Sequence, residues 1–209
     1  MSEKEYDFVS KIYDPLLFVF LYPIRKKLIQ ELKSFQDKKI LDLCCGTGDQ
    51  LKRMAKKGFE NLHGLDISEA MLKLARKKPD PNIHFYQEDA GNTRFEAESF
   101  DTIMISFAIH EKEREVQEKM LFEAERVLKK DGLLVIVDYQ MEQKTNGVAK
   151  KLIGLIEWIA GKTHYANYKN YVKNKGLDSL IQTERFVLQK KLSYGLGSVG
   201  IFFYKKNQS

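Results

Sequence analysis

A glycine-containing loop between acidic residues is the part of the sequence best suited to bind a small molecule. In the stretch ILDLCCGTGDQ (residues 40–50) an apolar run carries Asp42 and ends in Gly46-Thr47-Gly48, after which helix-forming residues begin. Gly46 and Gly48 allow the backbone to approach a ligand closely and to adopt dihedral angles that a side chain disfavours. The pattern predicts a ligand-binding loop between a strand and a helix.

Two further acids follow apolar runs later in the chain. Asp66 lies in GLDIS, and Asp89 lies in YQEDA. A carboxylate accepts several hydrogen bonds, so Asp66 could bind both hydroxyls of a ribose, and Asp89 could accept from an adenine amino group. Ile67 offers an apolar surface to a purine ring. Together these residues predict a ligand that contains a nucleoside.

Two kinds of nucleoside ligand compete for this loop, a dinucleotide and S-adenosylmethionine. The dinucleotide fingerprint requires a third glycine where this chain has Leu51. Asp42, just before the loop, would repel a pyrophosphate but suits a ligand that carries an ammonium and a sulfonium. The charge pattern therefore favours S-adenosylmethionine.

Alternating strands and helices must position these residues. Helical periodicity covers residues 111–130, with an apolar face made of Val116, Met120, Leu121, Ala124, Val127 and Leu128, and Ser68 begins another helix as its N-cap. Alternation of this kind predicts a parallel sheet with helices on both sides. The predicted strands are residues 39–44, 61–66, 82–87, 100–106 and 132–139.

The C-terminal part breaks the alternation. FVLQKKLSYG and SVGIFFYKK are separated only by a turn, so they predict a hairpin that adds one antiparallel strand. The expected fold is a Rossmann-like, doubly wound sheet of seven strands. The predicted main domain covers residues 37–209, with a helical insertion at about 140–175 and an aromatic-rich arm or lid at residues 1–36.

Composition narrows the class of protein and its setting. The chain has 209 residues, is 43% hydrophobic and carries a net charge of +6, with basic doublets interleaved with acids. This dispersed charge does not predict a nucleic-acid surface. The longest apolar run, residues 15–24, is too short to span a bilayer, and no signal peptide is expected. Adjacent Cys44 and Cys45 predict no disulfide and a reduced, cytoplasmic setting.

Five motifs resemble, in order and spacing, those of class I S-adenosylmethionine-dependent methyltransferases: ILDLCCGTGD, GLDISEAML, EDA, FDTIMISFAIHE and RVLKKDGLLVIVDY. Residues 126–139 also resemble the second signature of the methyltransferases of ubiquinone and menaquinone biosynthesis. The chain differs from it at 130–132, where that signature has Pro-Gly-Gly, and at 138–140, where it has Glu-x-Ser. The subfamily's first signature survives only as Tyr13-Asp14.

The resemblance implies S-adenosylmethionine as the cofactor. No metal is expected, because acids suited to a Mg²⁺ site are not apparent after the fourth strand. The resemblance also implies that Asp42 and Asp49 lie near the amino group of the methionine part, and that Asp66 holds the ribose. Ser106 is implied to face the sulfonium. The residues implied to cradle the methionine part are Cys44, Cys45, Gly46, Thr47 and Gly48, and those implied to hold the adenine are Ile67, Met71, Asp89 and Ala90.

Methyl transfer needs a general base only if the acceptor must lose a proton. His110, just past the fourth strand, is the best-placed candidate, with Glu111 beside it. His164 and Tyr165 in the insertion come next, and the arm residue Tyr13 is a further candidate. The chain lacks an NPPY-like motif, and its cysteines lie only in the cofactor loop, so a small molecule is the favoured acceptor.

Two hypotheses of different classes remain open. The first is an enzyme that methylates a hydrophobic or aromatic acceptor: a quinol, a phenol, an amine or a lipid. A lipid acceptor would imply peripheral membrane contact, since Lys-rich amphipathic helices can lie in the interface. The second is a non-catalytic cofactor-binding subunit of a larger modification complex. The sequence predicts no oligomeric state.

Overall fold

A seven-stranded sheet with strand order β3-β2-β1-β4-β5-β7-β6 organises the chain. The computed structural model describes residues 21–140, 147–181 and 183–207. β1 to β5 run parallel, and β7 runs antiparallel to both β5 and β6, which confirms the predicted hairpin and fold class. The strands are β1 Lys39–Leu43, β2 Asn61–Asp66, β3 Ile83–Gln87, β4 Phe100–Ser106, β5 Leu128–Tyr139, β6 Phe186–Tyr194 and β7 Val199–Lys206.

Helices connect and cover the strands. α1 spans residues 21–31 of the described chain, and the remaining helices are α2 Asp49–Ala55, α3 Glu69–Arg76, α4 Arg114–Val127, α5 Gly147–Ala160 and α6 Lys162–Lys173. α2 and α3 contact β2 and β3, and α4 contacts β5. No helix in the described ranges is long and apolar enough to cross a membrane.

The central strands are buried on both faces, as expected for parallel strands covered by helices. All of β5 from Gly132 onward is buried, and so are four of the five residues of β1. Two carboxylates interrupt these apolar runs, Asp42 in β1 and Asp138 in β5. Buried charges are costly unless paired, so both mark positions of special chemistry.

The predicted helix at 111–130 is shorter than its periodicity suggested, and β5 begins earlier than the predicted residue 132. Lys112 N–H donates to the Ile109 carbonyl at 3.1 Å in a turn, and Glu113 is extended, so α4 starts only at Arg114. At the other end Leu128 takes an extended conformation and pairs with Phe100 of β4. On the apolar face, Val116 is 38% exposed.

The N-terminal arm is described only from residue 21. Ile24, Leu28 and Leu32 are fully buried in the same apolar cluster as the strands of the sheet. After β5, the predicted insertion contains the two helices α5 and α6, which contact each other. Residues 1–20, including the candidate Tyr13, and residues 141–146 lie outside the described part of the chain.

Candidate cofactor and acceptor site

The strand order reverses between β1 and β4, and the glycine loop lies at the carboxyl end of β1 beside this point. Crevices at such switch points hold the ligands of open parallel sheets. Cys44, Gly46 and Gly48 all take left-handed conformations, with φ of 65°, 55° and 66°. Cys45 N–H donates to the carbonyl of Leu65 at 2.9 Å, which fixes the loop against β2.

The two loop glycines have different surroundings. A Cβ on Gly48 would lie 2.7 Å from the ring of Phe85, so no side chain fits there. A Cβ on Gly46 would meet nothing within 4 Å. Gly48 therefore permits close packing of the loop on the sheet, while Gly46 exposes its backbone to open space in which a ligand can lie.

Asp66, the last residue of β2, orients the loop with its carboxylate. Oδ2 accepts from Gly46 N–H at 2.8 Å, and Oδ1 accepts from Ser68 N–H at 2.9 Å. An ionised carboxylate accepts about four hydrogen bonds, so each oxygen retains capacity for a ribose hydroxyl. Ser68 in turn accepts from Met71 N–H at 3.4 Å and caps α3, as the sequence predicted.

Asp42 is a buried acid whose Oδ1 has no hydrogen-bond partner among the described residues. Burial and the nearby Asp66 charge raise the pKa of Asp42 to about 7, and Arg25 partly opposes them. A cation placed beside this carboxyl would favour its ionised form. The unpartnered oxygen and the open space at Gly46 fit a ligand that carries an ammonium group.

Asp49 forms contacts that the sequence did not predict. Its Oδ2 lies 2.6 Å from Arg25 Nη1 and 2.7 Å from Arg53 Nε. The pair with Arg25 joins α1 to the first turn of α2, beside the glycine loop, and the pair with Arg53 lies within α2. Arg25 is thereby held close enough to influence the charge of Asp42.

The residues implied for adenine lie after two adjacent strands, β2 and β3. Ile67 is 67% exposed, Met71 is half-buried and Ala90 is buried. Asp89 is exposed and accepts from Gly91 N–H at 2.8 Å. An apolar side chain exposed this far beside a carboxylate leaves a surface that a flat ring could cover.

Ser106 ends β4, across from the glycine loop. Its hydroxyl is buried and has no hydrogen-bond partner within the described residues. The next residue, Phe107, takes φ of 53° and donates its N–H to Val137 at 2.7 Å. This left-handed residue turns the chain away from the sheet and over the end of β5.

The cysteines of the loop are free thiols. Burial raises the pKa of Cys45 well above its ordinary value, and burial raises that of Cys44 to about 12. Both thiols are therefore protonated at neutral pH and poor nucleophiles. Within the ranges given above, no three His, Cys, Asp or Glu residues are grouped to hold a metal ion.

A buried histidine between two carboxylates occupies the end of β5. His110 Nδ1 lies 2.6 Å from Asp138 Oδ1, and His110 Nε2 lies 3.5 Å from Glu157 Oε1 on α5. Burial alone would lower the pKa of His110, but Asp138 and then Glu157 outweigh it and raise the pKa to about 10. The imidazole is therefore a cation at neutral pH.

Tyrosines surround this group. Tyr139 donates its hydroxyl to Glu157 Oε1 at 3.0 Å, and Tyr171 donates to the Tyr139 carbonyl at 3.2 Å. The Tyr168 ring packs edge-on against that of Tyr139. Burial, with Glu157 nearby, raises the pKa of Tyr168 to about 12, so its hydroxyl stays protonated. In contrast, Glu157 Oε2 is buried without a hydrogen-bond partner in the described chain.

Glu111 links the loop after β4 to the insertion. Its carboxylate lies 2.6 Å from Lys112 Nζ and 3.4 Å from His164 Nδ1. Asn167 on α6 donates to the Glu111 carbonyl at 2.8 Å. The candidates Glu111 and His164 are thus brought together, at the contact between α6 and this loop.

The sequence analysis missed Glu157 as a site residue and noticed Asp138 only as a departure from a signature. Asp138 is the next-to-last residue of an apolar strand, one place short of the position that Asp66 has in β2, and this similar placement could have identified it. Glu157 is the only acid in α5. A single acid in an apolar helix signals either an exposed residue or a paired buried one, and only the packing of α5 decides between them.

Comparisons with known proteins agree with this geometry. Residues 40–132 match the family model described as a methyltransferase domain. The ubiquinone/menaquinone biosynthesis C-methyltransferase UbiE of Campylobacter jejuni is 32% identical, over 87% of this chain and 86% of the relative. The demethylmenaquinone methyltransferase of Lactobacillus johnsonii is 31% identical, over 87% of this chain and 82% of the relative.

Solved structures share the fold. A SAM-dependent methyltransferase from Aquifex aeolicus superposes with a TM-score of 0.56 at 20% identity, covering 86% of this chain and 88% of that one. An S-adenosylmethionine-dependent methyltransferase from Mesorhizobium loti gives 0.62 at 17% identity, covering 90% and 98%. The chain belongs to the class I S-adenosylmethionine-dependent methyltransferases of the UbiE type, and S-adenosylmethionine is its cofactor.

Proposed function

We propose that this methyltransferase acts on a small aromatic acceptor that carries a hydroxyl group and an apolar substituent, such as a reduced quinone precursor. The observation that carries the proposal is Glu157, a buried carboxylate with an unpartnered Oε2 among tyrosines at the end of β5. An unsatisfied buried carboxylate oxygen is costly, and a hydroxyl donor from a bound acceptor would satisfy it.

The tyrosines give this site its preference for a ring. Tyr139, Tyr168 and Tyr171 are buried together at the base of the insertion. Aromatic side chains contact flat apolar molecules over a large area and favour edge-on or offset contacts. The names of the relatives support the same class of acceptor, since they describe methyltransferases of ubiquinone and menaquinone biosynthesis.

The cofactor residues keep the roles that the resemblance implied. In our proposal Asp66 binds the ribose, Asp42 and Asp49 lie near the amino group, and the loop from Cys44 to Gly48 holds the methionine part. Ile67, Met71, Asp89 and Ala90 line the adenine, and Ser106 faces the sulfonium. When bound, S-adenosylmethionine supplies an electrophilic methyl group. The chain itself positions the acceptor in line with that group and excludes water.

Glu157 is the proposed general base. Its Oε2 would take the proton of the acceptor hydroxyl, which makes the neighbouring ring carbon nucleophilic. As that carbon bonds to the methyl group, the bond from the methyl group to the cofactor sulfur would break. The ring carbon would then lose its own proton, which restores the aromatic ring and the hydroxyl. A histidine that is already protonated cannot accept this proton, so we assign His110 and Asp138 as positioning residues. The His110 cation holds Glu157 from one side, and Asp138 holds the histidine from the other.

A screen with labelled cofactor tests the proposal. Quinols with short apolar tails, their O-capped analogues, simple phenols and amines are compared as acceptors under reducing conditions. The free hydroxyl should be required, so quinols should be methylated and capped analogues should not. Preferential methylation of an amine would overturn the proposal. Cofactor binding without turnover of any acceptor would instead favour a non-catalytic subunit.

The variant Glu157→Gln tests the base directly. General-base catalysis contributes typically about 100-fold to 10,000-fold, so kcat should fall at least about 100-fold. Cofactor affinity should be unchanged, because Glu157 lies on the acceptor side. The control is Glu118→Gln, an exposed acid of α4. A Glu157→Gln protein that binds cofactor and turns over at the full rate would remove Glu157 from the mechanism.

A further inference from the structure

Helix α5 has two apolar sides, of which only one packs on the protein. Ile153 and Glu157, one helical turn apart, are both buried against the body of the molecule. On the opposite side Leu152, Leu155, Trp158 and Ile159 are between 49% and 62% exposed. These four residues are called here the outer face of α5. Leu152, Leu155 and Ile159 follow the i, i+3, i+7 spacing of one helical stripe, and Trp158, three residues after Leu155, widens it.

Exposed apolar stripes of this kind are unusual on a protein surface. Single exposed apolar residues are common, but a contiguous patch that includes a tryptophan marks an interaction site. A tryptophan combines a large apolar surface with one N–H donor, and it is enriched where an apolar phase meets water. The outer face is therefore suited to bind a partner in which an apolar region borders a polar one.

The charges around the outer face identify that partner. Between residues 147 and 175 the basic side chains are Lys150, Lys151, Lys162, Lys169, Lys173 and Lys175, and Glu157 is the only carboxylate. Glu157 is turned inward and buried. The surface of α5 and α6 thus presents positive charge with no exposed acid to offset it.

We propose that the outer face of α5 docks on the surface of a membrane that contains anionic lipids. The four apolar side chains would enter the boundary between headgroups and acyl chains, as in interfacial amphipathic helices. Lys150 and Lys151 can extend their ammonium groups back to the headgroups while their methylenes remain in apolar surroundings. The helix lies in the plane of the surface, because 14 residues span only about 21 Å.

A second copy of the chain fits the outer face less well than a membrane does. Two copies that met through this face would bring their lysines together, and like charges placed opposite each other disfavour association. An anionic lipid surface reverses the sign of this interaction, and each lysine near it favours binding. Charge complementarity therefore selects the lipid surface.

Docking would also place the acceptor site at the membrane. Glu157 and the outer face lie on opposite sides of one helix, so a docked α5 stands between the lipid and the tyrosine cluster. The lipid and Glu157 are then separated by about one helix diameter, 10 Å, so an acceptor with an apolar tail would have only a short distance to travel. This last step rests on the proposed function, whereas docking itself can be measured without acceptor or cofactor.

Trp158 provides the measurement, because it is the only tryptophan in the chain. Its emission is recorded with vesicles of neutral phosphatidylcholine and with vesicles that also contain phosphatidylglycerol. Anionic vesicles should move the emission to shorter wavelength and protect Trp158 from a water-soluble quencher, and added salt should reduce both effects. Absence of binding to anionic vesicles at low salt would overturn the proposal.

Variants separate the contribution of the lysines to membrane binding from that of the apolar side chains. Lys150→Gln with Lys151→Gln should weaken binding to anionic vesicles at least about tenfold. Leu152→Gln with Leu155→Gln should weaken it by a similar factor or more. Matched controls elsewhere on the surface are Lys56→Gln with Lys57→Gln, and the exposed Leu196→Gln. Equal loss in the controls would show that the outer face of α5 is not the docking surface.

If something other than a membrane covers the outer face of α5, the Trp158 fluorescence experiment gives a different result. If a second copy covers the face, Trp158 emission shifts with protein concentration alone, and light scattering reports a dimer. If another part of the chain covers it, Trp158 is already protected from the quencher before vesicles are added. Either result overturns the proposal. Methyl transfer to a short-tailed acceptor in free solution should be unaffected by the face variants.

Discussion

His110 Nδ1 lies 2.6 Å from Asp138 Oδ1, and both side chains are buried. The same carboxylate accepts the backbone N–H groups of Ile109, His110 and Tyr139. Asp138 therefore joins the loop after β4 to the end of β5, at the point where α5 contributes Glu157.

This pair predicts a pH-dependent stability. The pKa of His110 is about 10 in the folded protein, above its ordinary value of 6.5. Its stabilising contribution is therefore full below pH 6.5 and is lost as the pH rises towards 10. Between pH 6.5 and 9.5 the unfolding free energy of the wild type should fall more steeply than that of His110→Gln. Parallel slopes in denaturant titrations would contradict the assigned charge.

Asp66→Asn should weaken cofactor binding while the fold survives. Each hydrogen bond to a charged group contributes roughly 1.5 to 3 kcal/mol, and the substitution removes the charge and rearranges two such bonds. The control is Asp80→Asn, because Asp80 accepts from Asn82 N–H in a similar local turn outside the site. Calorimetry should show weaker binding only for Asp66→Asn. Unchanged affinity would remove Asp66 from the ribose site.

Asp42 predicts a pH dependence of cofactor binding. Its pKa is raised to about 7, so it is mostly neutral at pH 5.5 and increasingly ionised towards pH 7. A bound ammonium would favour the ionised form, so affinity should rise over this range by up to about tenfold per pH unit. Calorimetry with Asp42→Asn should show a flat profile. An equally steep profile in the variant would assign the proton to another group.

Cys44 has a glycine-like conformation, with φ of 65°. Cys44→Gly relieves this conformation but gains freedom in the unfolded chain, so stability should change by less than about 1 kcal/mol. Cys44→Val places a β-branched side chain there and should cost about 1 to 3 kcal/mol. Denaturant titration measures both. Methyl transfer by Cys44→Gly and Cys45→Ala should stay within about tenfold of the wild type; loss of turnover with intact cofactor binding would indicate a chemical role.

The insertion is predicted to open and close over the acceptor site. α6 is tied to the loop after β4 through Asn167 and His164, which are only partly buried contacts. Hydrogen exchange should be faster in residues 147–173 than in β1, β4 and β5, and it should slow when cofactor product and acceptor bind. Exchange in the insertion that is as slow as in the central strands would rule out a lid.

The strands and the glycine loop after β1 could be predicted because their signals are local. Asp66 ends an apolar run, Gly46 and Gly48 follow one, and each pattern depends on few neighbours. β2 and β4 were predicted at their observed bounds, and β1 and β3 within one residue. Parallel strands between helices leave little choice of topology once their order is known.

The acceptor side depends on contacts between distant segments, so its pattern was not visible. Glu157 meets His110 only after α5 folds back across the end of β5, far along the chain from it. The start of α4 also depends on such contacts: Asp138 holds the preceding loop through the N–H groups of Ile109 and His110, and Glu113 stays extended. Periodicity registers which residues are apolar, but it does not register which carboxylate competes for a backbone donor.

Asp138 stands where the signature of the quinone methyltransferases carries a glutamate. A glutamate here would be longer by one carbon–carbon bond, about 1.5 Å, in surroundings too tightly packed to absorb it. Either the imidazole or the loop from Phe107 would have to move, and Glu157 would lose its neighbour. The side chains at positions 110 and 138 are therefore matched in size. A longer carboxylate at position 138 would need a smaller side chain at position 110 or a displaced loop, and Glu157 would shift with either change.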